Sequence, residues 1–212
     1  MKITKFGHCC MLIEEKNVRI LTDPGTYSTS QNSIKNIHFV LITHEHPDHL
    51  HIESLKQVIS NNPEVKIITN KSVGILLDKE NIKYTLVEDG QSMDLNGVLV
   101  EGFGKQHAVI YKSIPTIQNT GYFIGNKIFY PGDSFTNPNK EVDILFLPVA
   151  GPWMKLSEAI DYALEVKPRI CIPVHEGILK VPGGTHMIPP KVLEPMGIKF
   201  MALELDKETE II

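Results

Sequence analysis

The chain has 212 residues, 42% hydrophobic and 22% charged, a make-up that fits a folded globular protein and excludes a disordered or fibrous one. This length suits one domain with a sizeable core, in which about 70% of the unfolded surface is buried. Against 21 Lys and Arg stand 25 Asp and Glu, so the net charge of −4 offers no general basic footprint for a phosphate backbone, and no nucleic-acid partner is expected.

The N-terminal stretch MKITKFGHCCMLIEEK lacks the apolar run and small-residue cleavage site of a signal peptide. Cys9, Cys10 and Cys171 are too few and too awkwardly spaced for a disulfide framework, which reads as thiols kept reduced in a cytoplasmic protein. Short β-branched runs bounded by Gly, Pro, Asn or Asp then predict strands at Arg19–Leu21, Phe39–Ile42 and Val65–Thr69. More follow at Val98–Val100, Gly121–Ile124, Lys127–Tyr130, Ile144–Val149 and Ile170–Val174, with Gly125-Asn126 as a hairpin turn. Helices are predicted after His51, where Ile52, Leu55, Val58 and Ile59 share a face before Asn61-Asn62-Pro63, and over Ser72–Lys79. A third helix follows Ser157, read as its N-cap, with Ala159, Ile160, Ala163 and Leu164 facing inward until Pro168. Strands outnumber helices and alternate with them, which favours sheets covered by helices. No run approaches the length of about 18 apolar residues that a membrane span needs, so no membrane association is expected.

The informative segment is His38-Phe-Val-Leu-Ile-Thr-His44-Glu-His46-Pro-Asp48-His49-Leu-His51. A buried apolar strand ends at Thr43 and polar residues follow at once. His44 and His46 can point to one side of an extended chain, while Pro47 bends it so that Asp48 and His49 approach from another. Imidazole with carboxylate suits zinc and other borderline divalent ions, and four donors in so short a span exceed one ion's usual share. The same layout of strand and then polar residue recurs at Asp133 after Ile128–Tyr130, at His175 after Ile170–Val174, and at His107 after Val98–Val100. Donors at strand ends sit on a rigid scaffold.

These residues resemble the metallo-β-lactamase-fold hydrolases: His44, His46, Asp48 and His49 in THEHPDH, then His107, then Asp133 in GDS, then His175 in PVHEG. Gly7-His8 with Met11-Leu-Ile-Glu, and Thr22-Asp23-Pro24-Gly25, are similar to the branch that contains ascorbate-6-phosphate lactonase. The likeness runs from about Lys2 to about Gly177 and leaves no position of the metal motif empty. It implies an α/β (α+β) fold, a four-layer αβ/βα sandwich, with residues 1–212 forming a single metallo-β-lactamase-like domain. It further implies two divalent metal ions, zinc first and manganese second. His44, His46 and His107 would bind one, Asp48, His49 and His175 the other, and Asp133 would bridge them. The activity implied is hydrolysis of a small ester, lactone, amide or phosphodiester by a metal-activated hydroxide. Asp48 would orient that nucleophile as well as bind metal, and His8 is the candidate auxiliary catalytic group.

A second function class on the same fold is a mononuclear iron persulfide dioxygenase, which metal identity and count would separate from the hydrolase; a non-catalytic metal-binding module is a third. Diiron relatives carry Glu where His46 stands, which argues against them. Gly102-Phe-Gly104-Lys-Gln-His107 has His where a dinucleotide fingerprint needs its third glycine. No phosphate-binding P-loop or nucleophile elbow is present. His186 is read as a surface loop, Trp153 as either a pocket wall or a cover on the core edge, and His51 as solvated; His38 is given no role. Lys105, Lys112 and Lys155 are the lysines to test for phosphate binding.

Overall fold

The computed structural model describes residues 1–212. Its order is β1 (Lys2–Gly7), β2 (Cys10–Glu15), β3 (Val18–Thr22), β4 (Phe39–Leu41), α1 (Ile52–Asn61), β5 (Lys66–Thr69), α2 (Lys71–Lys79), β6 (Tyr84–Leu86), β7 (Ser92–Leu95), β8 (Val98–Phe103) and β9 (Gly121–Ile124). There follow β10 (Ile128–Tyr130), β11 (Ile144–Pro148), α3 (Leu156–Val166), β12 (Ile170–Val174), α4 (Gly184–Met187), α5 (Pro189–Leu193), β13 (Lys199–Phe200) and β14 (Glu208–Glu210). One sheet runs β14-β1-β2-β3-β4-β5-β6 and the other β13-β12-β11-β10-β9-β8-β7. Each sheet is mixed: antiparallel through β14-β1-β2-β3 and β7-β8-β9-β10, parallel through β3-β4-β5-β6 and β10-β11-β12-β13.

Period-2 alternation assigns each strand's side chains to two apolar layers. Phe39 and Leu41 of β4 meet Tyr130, Phe146 and Ile172 between the sheets. Val40 and Ile42 turn outward onto Leu55 and Val58 of α1 and Val73 and Leu77 of α2. Leu145 and Leu147 of β11 turn outward onto Ala159, Ile160 and Ala163 of α3 and Leu193 of α5. The result is helix, sheet, sheet, helix: the four-layer sandwich that the resemblance implied.

All eight predicted strands and all three predicted helices form. Gly125 and Asn126 both take positive φ, +62° and +56°, as a tight hairpin turn requires. One detail is corrected. Ser157 lies inside α3; the N-cap is Lys155, whose backbone N–H donates to Glu158 Oε2 at 2.7 Å, so a carboxylate three residues on supplies the cap. The sequence reading missed the β1-β2 hairpin and the edge strands β6, β7, β13 and β14.

β1, β3 and β4 point one way in the first sheet, and β8, β10, β11 and β12 one way in the second. The C-terminal ends of six of these strands lead directly into His8, Asp23, the His44–His49 loop, His107, Asp133 and His175. Antiparallel and parallel pairing thus deliver residues distant in sequence to one edge of the sandwich.

Candidate metal centre

The seven residues singled out as metal ligands converge there, and His8 joins them. Single donor atoms from His44, His46, His107 and Asp133 lie within 4.8 Å of one another, as do those from His8, Asp48, His49 and His175. Asp133 connects the two groups: Oδ2 lies 3.3 Å from His107 Nε2 and 2.8 Å from His175 Nε2, and Oδ1 lies 3.1 Å from His49 Nε2. All but His46 and Asp48 are buried.

Hydrogen bonds on the outer side of the rings decide which nitrogen faces inward. Thr43 donates its hydroxyl to Asp23 Oδ2 at 2.7 Å, so His44 Nδ1, 3.0 Å away, donates to Thr43 Oγ1 and leaves Nε2 a bare lone pair. His49 Nδ1–H donates to Asp23 Oδ2 at 2.7 Å, and His107 Nδ1–H donates to the Ala108 carbonyl at 2.6 Å. The inward Nε2 atoms of His44, His49, His107 and His175, with Asp133 Oδ1, are buried and have no hydrogen-bond partner. Buried polar atoms are ordinarily satisfied, and leaving one bare costs about 1–3 kcal/mol. Five such atoms facing one another, all of them metal-ligating types, fit divalent cations as the missing partner.

The electrostatics agree. Burial lowers the pKa of His44 well below the usual imidazole value, and burial together with His107 lowers that of His46, so both are held neutral. Burial opposes the charge on Asp133, but His49 and His175 outweigh it and hold its carboxyl well below the ordinary range. Burial likewise opposes ionisation of Asp48, yet His8, His49 and His175 bring it down to about 2. His49 is the exception: burial disfavours its charge, but Asp133 raises its pKa well above the usual value. Neutral His44 and His46 beside ionised Asp48 and Asp133 are in the protonation state that metal binding needs, and His49 would give up its extra proton on loading.

His8 takes a different geometry. It has positive φ (49°), and the Gly177 N–H donates to its Nδ1 at 3.1 Å. With Nδ1 accepting, the ring proton sits on Nε2 and donates to Asp48 Oδ2 at 3.1 Å. Burial lowers the pKa of His8 to about 4, an effect that Asp48 only partly offsets, so the ring is neutral with that one proton.

The model of the family described as the beta-lactamase superfamily domain matches residues 2–175. The chain belongs to that superfamily. Within it, the chain is 34% identical over 187 residues to a UPF0173 protein of Pyrococcus abyssi, a match covering 84% of each, which places it in the UPF0173 family. A Mycobacterium tuberculosis protein is 36% identical over 184 residues, 84% of this chain and 85% of that one. A solved structure from Parabacteroides distasonis, provisionally assigned as a metal-dependent hydrolase, superposes with a TM-score of 0.78 at 25% identity and covers 96% of this chain and 93% of its own. An Ignicoccus hospitalis metallo hydrolase shares the fold, with a TM-score of 0.77 at 21% identity over 100% of this chain and 99% of that one.

Around the superfamily's histidine cluster stand two further contributors: Asp23, given no role from sequence, and Trp153, read there as either a pocket wall or a cover on the core edge. Asp23, in the Thr22-Asp23-Pro24-Gly25 motif, accepts from Thr43 N–H, Thr43 Oγ1, His49 Nδ1 and Tyr130 Oη, and so fixes two ring tautomers at once. Trp153 is buried with its indole N–H donating to Asp133 Oδ2 at 2.7 Å. The other candidates lie elsewhere. His51 is the half-buried N-cap residue of α1, bonded to Ser54, rather than a solvated side chain. His38 Nδ1 accepts the Arg19 N–H, and His186 sits on α4 with Nε2 3.3 Å from Glu176. Lys105 is exposed and pairs with Asp89 at 3.5 Å, and Lys155 caps α3.

Proposed function

We propose that the chain is a metal-dependent hydrolase that holds two divalent ions, zinc or manganese, and cleaves a small ester, lactone, amide or phosphodiester. The observation that carries this is the set of bare, buried Nε2 atoms of His44, His49, His107 and His175 facing the ionised Asp133. The UPF0173 relative of Nanoarchaeum equitans, 26% identical over the full length of both chains, bears the name metal-dependent hydrolase, which supports the same reading. His44, His46 and His107 hold one ion, Asp48, His49 and His175 the other, and Asp133 serves both. The ions, when bound, activate a water and polarise the electrophile.

The chain's own residues then do three things. Asp23 locks His44, through Thr43, and His49 in the tautomer that leaves Nε2 free. Asp48, ionised and partly exposed, orients the attacking group. His8 holds Asp48 through a proton on its Nε2, itself fixed by the Gly177 N–H, and acts as a positioning residue rather than a ligand. Were its Nε2 to bind metal while Nδ1 accepts from Gly177, the ring would have to become an imidazolate. Of the three lysines to test for phosphate binding, Lys105 pairs with Asp89 at 3.5 Å while Lys112 and Lys155 are exposed, so phosphodiesters stay beside lactones and esters among the substrates to test.

Elemental analysis of protein purified without chelator or added metal tests the reading, together with a panel of lactones, aryl esters and phosphodiesters. Two equivalents of zinc or manganese with turnover of a panel member is the expected result. About one equivalent of iron would favour the oxidoreductase reading, and no uptake even after metal is added back would overturn the ligand assignment.

A further inference from the structure

Trp153, the single tryptophan of the chain, faces Asp133 in a way that packing alone does not require. It follows β11 in the segment Ala150-Gly151-Pro152-Trp153. The indole is seated against Phe135, with ring centroids 5.2 Å apart, and stands edge-on to His107 and His175 at 5.9 and 6.0 Å. Its Nε1–H points at Asp133 Oδ2, the oxygen nearest to a histidine of each group. A phenyl ring would fill much of the same space, but a buried indole N–H needs a partner, and here the partner is the carboxylate.

The backbone makes room for this contact. Gly151 has φ +148°, and a Cβ there would come within 2.8 Å of Trp153 Nε1. Only a residue without a side chain lets the indole nitrogen occupy that position. The main chain of Asp133 is fixed independently, its N–H donating to Asn119 Oδ1 at 3.0 Å and its carbonyl accepting from Ala108 N–H at 2.8 Å. The carboxylate is not so constrained. Its other neighbours are His49, His107 and His175, whose inward nitrogens give up any proton when they bind a cation. The indole N–H is the one donor to Asp133 that metal loading cannot remove.

We propose that Trp153 is a positioning residue for the bridging carboxylate: its indole N–H holds Asp133 in the orientation that serves both metal positions, in the apo and the loaded protein alike. The inference rests on the two-metal reading above and extends it beyond the ligands. Outer partners of metal ligands are typically worth about 10–100-fold in metal affinity, and an effect in that range is expected here.

A single-atom test is open because the chain has one tryptophan. Growth of a tryptophan auxotroph on benzothienylalanine replaces the indole N–H by sulfur at position 153 alone and keeps the ring's shape. Metal affinity of this protein, of Trp153→Phe and of the unmodified chain is measured with zinc against a competing chelator, with far-UV circular dichroism as the check on folding. The expected result is at least tenfold weaker binding of zinc in both altered proteins with an unchanged fold. In the unmodified chain, zinc should also change the Trp153 fluorescence, with saturation at two equivalents. Wild-type affinity in the benzothienylalanine protein would overturn the proposal whatever Trp153→Phe does, because shape alone would then account for the residue. An unmodified chain that takes up no zinc would instead overturn the two-metal reading on which the proposal stands.

Discussion

Asp23 shows how one buried carboxylate can organise a candidate metal site from outside it. Oδ2 accepts from Thr43 and His49, and Thr43 passes the constraint on to His44. In Asp23→Asn the amide fits the space, but it brings a donor to a point where Thr43, His49 and Tyr130 already donate. Metal affinity should fall by about 10–100-fold with the fold retained, as read by zinc titration against a chelator. His8→Ala separates positioning from ligation: it should keep two metal equivalents while kcat falls by about 10²-fold or more, the lower end of what a placed proton-transfer or positioning group contributes. Loss of one equivalent would make His8 a ligand instead. The candidate ligands themselves were legible because four of them fall within six residues, straight after an apolar strand. Asp23 and Trp153 were not, because their roles exist only across the fold. Asp23 meets Tyr130 from 107 positions away, and the signal of Trp153, one indole N–H, has no sequence pattern.

At the scale of elements, the site depends on one loop bracing another. The turn after β3 lies against the histidine loop: Thr26 N–H donates to the Pro47 carbonyl at 3.0 Å and His51 N–H to the Pro24 carbonyl at 3.1 Å. Gly25 is the closest point, where a Cβ would lie 1.8 Å from the Asp48 carbonyl oxygen, an overlap that backbone on both sides cannot relieve cheaply. Gly25→Ala should therefore destabilise the protein by about 1–3 kcal/mol or more, as overpacking does, and displace Asp48 and His49. Urea unfolding and metal content should fall together, whereas a loss of stability with full metal content would mean that the loop moves as a unit. Central strands and helices were readable because β-branched runs and 3.6-residue periodicity survive in the sequence. β1 was not, since Lys5 interrupts its apolar pattern and is buried only because Glu176 and the Pro173 carbonyl, 171 and 168 positions away, accept its ammonium. The edge strands β6 and β14 are short and largely exposed, so they lack the apolar run that marks a strand.

Over the whole molecule, the three cysteines sample the three apolar layers of the sandwich. Cys9 lies between the sheets, Cys10 between the first sheet and α1 and α2, and Cys171 between the second sheet and α3. All three are free and buried. Burial pushes the Cys9 thiol up to about 11 and the Cys171 thiol to about 12, from an ordinary value near 9, and raises Cys10 as well. A thiol with a raised folded pKa contributes stability that is complete below pH 9, because both states are then protonated. As pH rises past 9 the unfolded chain ionises first, and that stability drains away up to about pH 11 to 12. The urea midpoint should accordingly be lower at pH 10.5 than at pH 8, in the metal-free protein. At pH 8 none of the three thiols should react with a thiol reagent in the native state, since the thiolate is the reactive form and each sulfur is enclosed. We propose that residues 1–212 fold as one cooperative domain. If so, all three thiols become reactive in a single urea transition, because no layer can open without removing the face on which its neighbour packs. Labelling of Cys171 at lower urea than Cys9 and Cys10, read by mass spectrometry of the peptides, would show instead that the layer beneath α3 opens on its own.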